Sequence, residues 1–216
     1  MTNNDLLRLM TWLSPSFPVG GFAWSNGLET VCQNGFVSTP HDLHEWIVTG
    51  LTVGSLRNDA IFLTAAHRDP KIIQEINALA LALAGSAERF HETTDLGDAF
   101  LKAARPWVPD ATNTFEGKMA YPVSVGWVAS NCNIPLQETL VAYLHSMANN
   151  QIQAALRLMK LGQYAGVNLL SQLEPLIVKQ AKCAVHSTLK DIGSNAISMD
   201  IASMNHEYLQ SRIFKS

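Results

Sequence analysis

Apolar side chains return every three or four positions along most of this chain, and that spacing suits one kind of element. Leu43, Trp46, Ile47 and Leu51 share a face; so do Leu136, Leu140, Leu144 and Met147, then Ile152, Ala155, Leu156 and Met159. Leu169, Leu170, Leu173, Leu176 and Ile177 continue the pattern, and Ile197, Ile201, Met204 and Tyr208 close it. A period near 3.6 is that of an amphipathic helix, whereas a half-buried strand alternates every second residue.

The start signals agree. Thr39-Pro40-His41-Asp42 places a capping hydroxyl, a proline at the first helical position and an acid at the third. Further series run from Ala60 to His67, from Ile72 to Leu83 after the Asp69-Pro70 break, and from Ser86 and Glu88 through Phe90, Phe100 and Leu101 to Ala104. Arg105 to Lys118, with Pro106, Pro109, Asn113 and Gly117, reads as a loop or boundary, and Pro175 is expected to split or kink its segment. Tyr121 to Ser130 stays open between strand and helix: Val and Trp alternate, while Pro122 and the small residues suit a tightly packed helix. With no strand set and no repeat, the sequence predicts an all-α, single-domain helical bundle over residues 1–216. A flexible N-terminal segment is expected over about 1–12 and a partner-docking tail over about 201–216.

Composition limits what such a bundle does. Only 15% of residues are charged while 47% are hydrophobic, so more apolar surface than usual must be hidden, in the core or against a partner. A net charge of −3 leaves no basic stripe to release counterions from nucleic acid. The apolar run from Ala78 to Gly85 falls far short of the roughly 20 residues that span a bilayer. No basic leader precedes an apolar stretch at the start, so the expected location is the cytoplasm. Cys32, Cys132 and Cys183 are odd in number and never paired at Cys-x-x-Cys spacing; they read as small, reduced core residues.

No catalytic pattern survives inspection. Around Gly21 and Gly27 there is no lysine to complete a phosphate loop. Ser25-Asn26-Gly27 resembles half of a nucleophile elbow, but Ala23 replaces its first glycine and prolines stand where a buried strand is needed. His41 and His44 lack a third ligand at suitable spacing, and His206-Glu207 is followed by Gln210 where a zinc protease needs histidine. The reading is therefore not an enzyme, with no catalytic residue, metal site or cofactor. A stand-alone hydrolase using Ser25, or the His41/His44 pair, and an unrelated helical scaffold are the alternatives.

Three features remain. Ser14 to Glu29, SPSFPVGGFAWSNGLE, combines prolines that fix the backbone, glycines that allow close approach and aromatics that offer contact area. Arg157 sits in an otherwise apolar helix, where it either pairs, marks an interface or snorkels. The tail keeps Ile213 and Phe214 between cations; it either folds back on its own bundle or docks on another chain.

These same places carry a resemblance. SPSFPVGGFAWSNGLE, Tyr121-Pro122-Val123-Ser124-Val125-Gly126, Arg157-Leu158-Met159-Lys160-Leu161-Gly162-Gln163, and Ser203-Met204-Asn205-His206-Glu207 with Ser211-Arg212-Ile213-Phe214 are similar, in order, to motifs of the UreF family of urease accessory proteins. The resemblance implies a helical, dimeric, non-catalytic chaperone that joins UreD (UreH), recruits the GTPase UreG and serves nickel delivery to the urease apoprotein. GTP chemistry would belong to UreG, and nickel would be held chiefly by the partners. It implies UreD contacts at Ser203, Met204, His206, Glu207, Tyr208, Arg212, Ile213 and Phe214, with Ile213 and Phe214 as anchors. It also implies a surface facing UreG or a second protomer at Phe22, Ser25, Gly27, Glu29, Arg157 and Gln163, and a helix over Tyr121 to Ser130. Trp24, Asn26, Lys160 and Ala165 depart from the residues common in the family at those positions.

Overall fold

The computed structural model describes residues 1–109, 115 and 117–216. Among them are ten α-helices and three short 3-10 turns, with no strand. In chain order these are α1 (Asn3–Trp12), α2 (Leu28–Gln33), α3 (Pro40–Val53), α4 (Ser55–Arg68), α5 (Ile73–Ala82), α6 (Ala87–Ala104), α7 (Tyr121–Asn131), α8 (Leu136–Leu158), α9 (Gln163–His186) and α10 (Ile197–His206). The all-α, single-domain reading holds.

Local signals set several of these boundaries. Thr39 accepts from the Asp42 amide and Asp42 returns a bond to the Thr39 amide, the capping box the sequence announced for α3. Ser86 caps α6 by accepting from the Arg89 amide. Over residues 1–12, where a flexible segment was expected, Thr2 and Asp5 form another capping box that starts α1. Trp12 then anchors that helix in the core, edge-on to Phe100 at 6.2 Å and to Trp107 at 5.5 Å. Pro175 does not split α9, which runs unbroken from 163 to 186. Pro175 is exposed, so the carbonyl deprived of its helical donor faces water. Asn113 of the expected loop lies outside the described residues, which include Pro106, Pro109 and Gly117.

The ambiguous stretch is α7, and it is buried on every face from Tyr121 to Ala129. That explains its lack of amphipathic pattern: a helix packed on all sides by α4, α6 and α8 has no polar face to mark its period. Gly126 lets α7 cross close to α4, since a Cβ there would stand 2.4 Å from the Leu63 carbonyl oxygen. Beside α7, Arg89 holds Asp59 through two bonds of 2.7 and 2.6 Å and Glu92 through one of 3.0 Å, tying α6 to α4; Tyr143 of α8 donates to Asp59 at 3.1 Å. Burial raises the Glu92 pKa above its ordinary value, although the Arg89 charge opposes the shift.

The long antiparallel pair α8 and α9 flanks this core, and α10 lies against α2 and α6. Ile197, Ile201 and Met204 do share a helix face, but that face points to solvent; the buried side of α10 carries Ala202, Ser203 and His206. The cysteines also differ from expectation: Cys32 and Cys132 are half-buried, Cys183 is exposed, and all three are free.

Candidate functional site

The glycine-aromatic loop before α2 and the tail after α10 meet in one place. Gly27 adopts a left-handed φ of +78°, and a Cβ at this position would lie 2.8 Å from the Ser203 backbone nitrogen. Only glycine satisfies both the turn and the close approach of α10. The tail then runs back along the loop. The Lys215 amide donates to the Ala23 carbonyl at 2.8 Å, and the Ser25 amide donates to the Ser216 carbonyl at 2.7 Å. The Ser25 hydroxyl donates to that same Ser216 oxygen. Gln151 of α8 supports the loop from beneath by donating to the Ser25 carbonyl at 3.3 Å, and it is itself held by the Trp46 indole N–H at 3.2 Å.

A charged network locks the junction. His206, 0% exposed, lies between Glu29 of α2 and Glu88 of α6. Its Nε2 stands 2.9 Å from Glu29 Oε2; its Nδ1 bonds Glu88 Oε1 at 3.0 Å, with Glu88 Oε2 in ion-pair contact at 2.8 Å. Each ring nitrogen faces a carboxylate oxygen, and the imidazole bridges the two helices that carry them. Glu29 also accepts the backbone amides of Ile213 at 2.7 Å and Phe214 at 3.0 Å. Burial alone would raise the Glu29 pKa, but the His206 bond and these two amides outweigh it and hold the carboxyl below its ordinary value. Arg212 reaches Glu88 Oε1 at 3.3 Å from the solvent side. Burial, reinforced by the Glu29 charge, pushes the nearby Cys32 thiol up to about 11.

Arg157 completes the junction. It pairs with no carboxylate among the described residues; it donates to the Phe22 carbonyl at 2.8 Å, with its guanidinium 4.3 Å from the Phe214 ring centroid. Lys215 lies over the Trp24 ring at 5.3 Å.

The two residue groups assigned from sequence to separate surfaces thus share one junction, and each divides into buried and exposed members. Ser25, Gly27, Glu29, Ser203, His206 and Phe214 are buried. Phe214, expected as a docking anchor, is instead packed into this chain's own bundle, because Arg157 and the Glu29 carboxylate draw the tail inward. Phe22, Met204, Glu207, Tyr208, Arg212 and Ile213 are exposed, Phe22 at 75% and Tyr208 at 77%. Phe22, Arg157 and Gln163 line a cleft of about 330 Å³ beside the loop. Glu88 entered the sequence reading only as a helix-start residue and Gln151 not at all, since each looks like an ordinary polar residue of a helix. The one local hint was polarity at 88 on a helix start and at 151 within an apolar stripe.

The arrangement offers little chemistry. The Ser25 hydroxyl is buried against a carbonyl rather than an imidazole, which removes the geometric basis for a serine nucleophile. His44 bonds its neighbour Glu45, and no group of three or more His, Cys, Asp or Glu side chains among the described residues could hold a metal. No helix of the described residues is long and apolar enough to cross a membrane.

A helical bundle whose polar network fastens its own loop and tail, beneath an exposed apolar rim, defines the class of a scaffold or accessory protein. The UreF family model matches residues 37–174, between the two joined segments. Full-length relatives cover those segments too. The chain is 47% identical over 214 residues to the urease accessory protein UreF of Rhizobium etli strain CIAT 652, spanning 98% of this chain and 96% of that one. With the same coverage it is 45% identical to the UreF of Agrobacterium fabrum strain C58 and 44% identical to that of Mesorhizobium japonicum. The chain belongs to the UreF family: it is a urease accessory protein and not an enzyme.

Proposed function

We propose that this chain joins UreD (UreH) to the GTPase UreG on the urease apoprotein, so that nickel enters urease as UreG hydrolyses GTP. In this reading it works as a cytoplasmic homodimer, without a cofactor of its own. The observation that carries the proposal is the exposed apolar rim over a rigid base. Ile197, Ile201, Met204, Tyr208 and Ile213 are open to solvent, while His206 and Phe214 fix the segment that bears them. Such a rim is large, weakly charged contact area suited to a protein partner.

The face of α10 and the tail receives UreD through Met204, Glu207, Tyr208, Arg212 and Ile213. Ser203, His206 and Phe214 act from behind as positioning residues. The cleft at Phe22, Arg157 and Gln163 faces UreG or the second protomer, with Ser25, Gly27 and Glu29 holding its loop.

The test is co-expression of the tagged full chain with UreD and UreG, followed by size-exclusion analysis. Met204→Asp with Tyr208→Asp is expected to lose UreD. Phe22→Asp is expected to keep UreD and to lose UreG or the second protomer. Failure of the unaltered chain to bind either folded partner overturns the proposal, and so does retention of every complex by both variants.

A further inference from the structure

The solvent face of α10 is apolar with one interruption. Ile197, Ile201 and Met204 stand open on it, and Asp200 falls among them, three residues on from Ile197 and so on the same stripe of the helix. Its side chain is half-buried. A Cβ at Gly85 would lie 3.4 Å from Asp200 Oδ1, and Asp200 shares the lining of a cavity of about 100 Å³ with Leu83, Met199 and Ser203. Burial raises the Asp200 pKa above the ordinary carboxylate value. Asp59 and Arg89 line the same cavity but are bound to each other, Arg89 also holds Glu92, and Arg212 of the tail is turned to Glu88. Asp200 is left with no hydrogen bond or ion pair among the described residues.

We infer that Asp200 fixes the kind of surface that covers this face: a UreD patch with an arginine or lysine set among apolar side chains, its charge paired with Asp200. The inference rests on the docking of UreD proposed above. Any partner that packs on Ile197, Ile201 and Met204 also takes water away from the carboxylate between them. A carboxylate desolvated without a counter-charge is costly, so a wholly apolar patch is penalised and an acidic one is repelled. A basic side chain replaces what the lost water supplied, an arginine through two parallel bonds. Asp200 thus acts as a specificity residue. The apolar stripe offers contact area that many surfaces would match, and the single carboxylate rejects those without a cation in register.

The test is the affinity of the full chain for immobilised UreD from the same organism, read by interferometry. Asp200→Asn keeps the shape and removes the charge. It is expected to weaken binding at least about ten-fold, a difference of about 1.4 kcal/mol, and Asp200→Lys is expected to abolish it. The Asp200→Asn melt should change little, because the side chain has no bond to lose. Against Asp200→Lys, a set of UreD variants with exposed Lys or Arg exchanged one at a time for Glu is expected to recover binding at one position. Unchanged affinity of Asp200→Asn overturns the inference, as do a collapsed Asp200→Asn melt and recovery at no position. Loss of UreD by Met204→Asp with Tyr208→Asp, beside full binding by both Asp200 variants, leaves the docking face standing and removes the pairing alone. Failure of the unaltered chain to bind folded UreD removes both.

Discussion

Arg157 and Phe214, 57 positions apart in sequence, stack with the guanidinium 4.3 Å from the ring centroid. The same guanidinium donates to the Phe22 carbonyl, so one side chain clips α8, the loop and the tail together. Arg157→Ala is expected to loosen the tail by about 1 kcal/mol, the sum of an exposed cation-π contact and a charge-assisted bond partly replaced by water. Hydrogen exchange at the Phe214 and Lys215 amides reads this directly, and the global melting temperature should move little.

Gly20 and Gly27 separate backbone strain from steric approach. Both have left-handed φ, +79° and +78°, but a Cβ at Gly20 meets nothing within 4 Å while one at Gly27 would stand 2.8 Å from the Ser203 nitrogen. Gly20→Ala is expected to cost about 1 kcal/mol. Gly27→Ala should cost about 3 kcal/mol, because α10 must also shift. Urea titration of the two variants measures the difference, and equal costs would show that α10 is not seated on this turn.

Removing His206 leaves Glu29 and Glu88 buried without the imidazole that bonds both of them. His206→Ala is expected to destabilise the protein by about 3–5 kcal/mol in urea titration. Adding Glu88→Gln should recover part of that loss, since it removes one of the stranded charges. A double variant as unstable as the single one would assign the loss to packing instead.

Acid should release the tail before it unfolds the core. Glu29 has a carboxyl pKa below its ordinary 4.5, so the stability it contributes is fully present above 4.5 and disappears as pH falls below that value through the lower folded one. Protection factors at the Ile213 and Phe214 amides, both donors to Glu29, should therefore fall in that window. Glu92 is shifted the opposite way by burial, so a global melt would mix the two effects and the local readout is the decisive one.

Much of this fold is written in local pattern. The Thr39–Asp42 cap, the α8 and α9 stripes and the Ser86 start each depend on residues within a turn or two. Local pattern fails where burial is decided at long range. The apolar face of α10, with Ile197, Ile201 and Met204, lies outward, and the inward face carries His206 because Glu29 and Glu88 meet it across 177 and 118 positions. α7 was ambiguous for the converse reason, being enclosed on all sides. The candidate site was legible as three separate features, Ser14 to Glu29, Arg157 and the tail. Their convergence was not, because nothing near Gly27 in sequence reveals that Ser203 lies against it.

The bond between Ser25 and Ser216 spans 191 positions, which puts the junction under the control of synthesis order. A ribosome releases the loop and α2 long before the segment that fastens them. Until α10 has been made, Glu29 has no histidine to meet and Gly27 no helix to seat, so a chain stopped before that helix presents an unfinished surface.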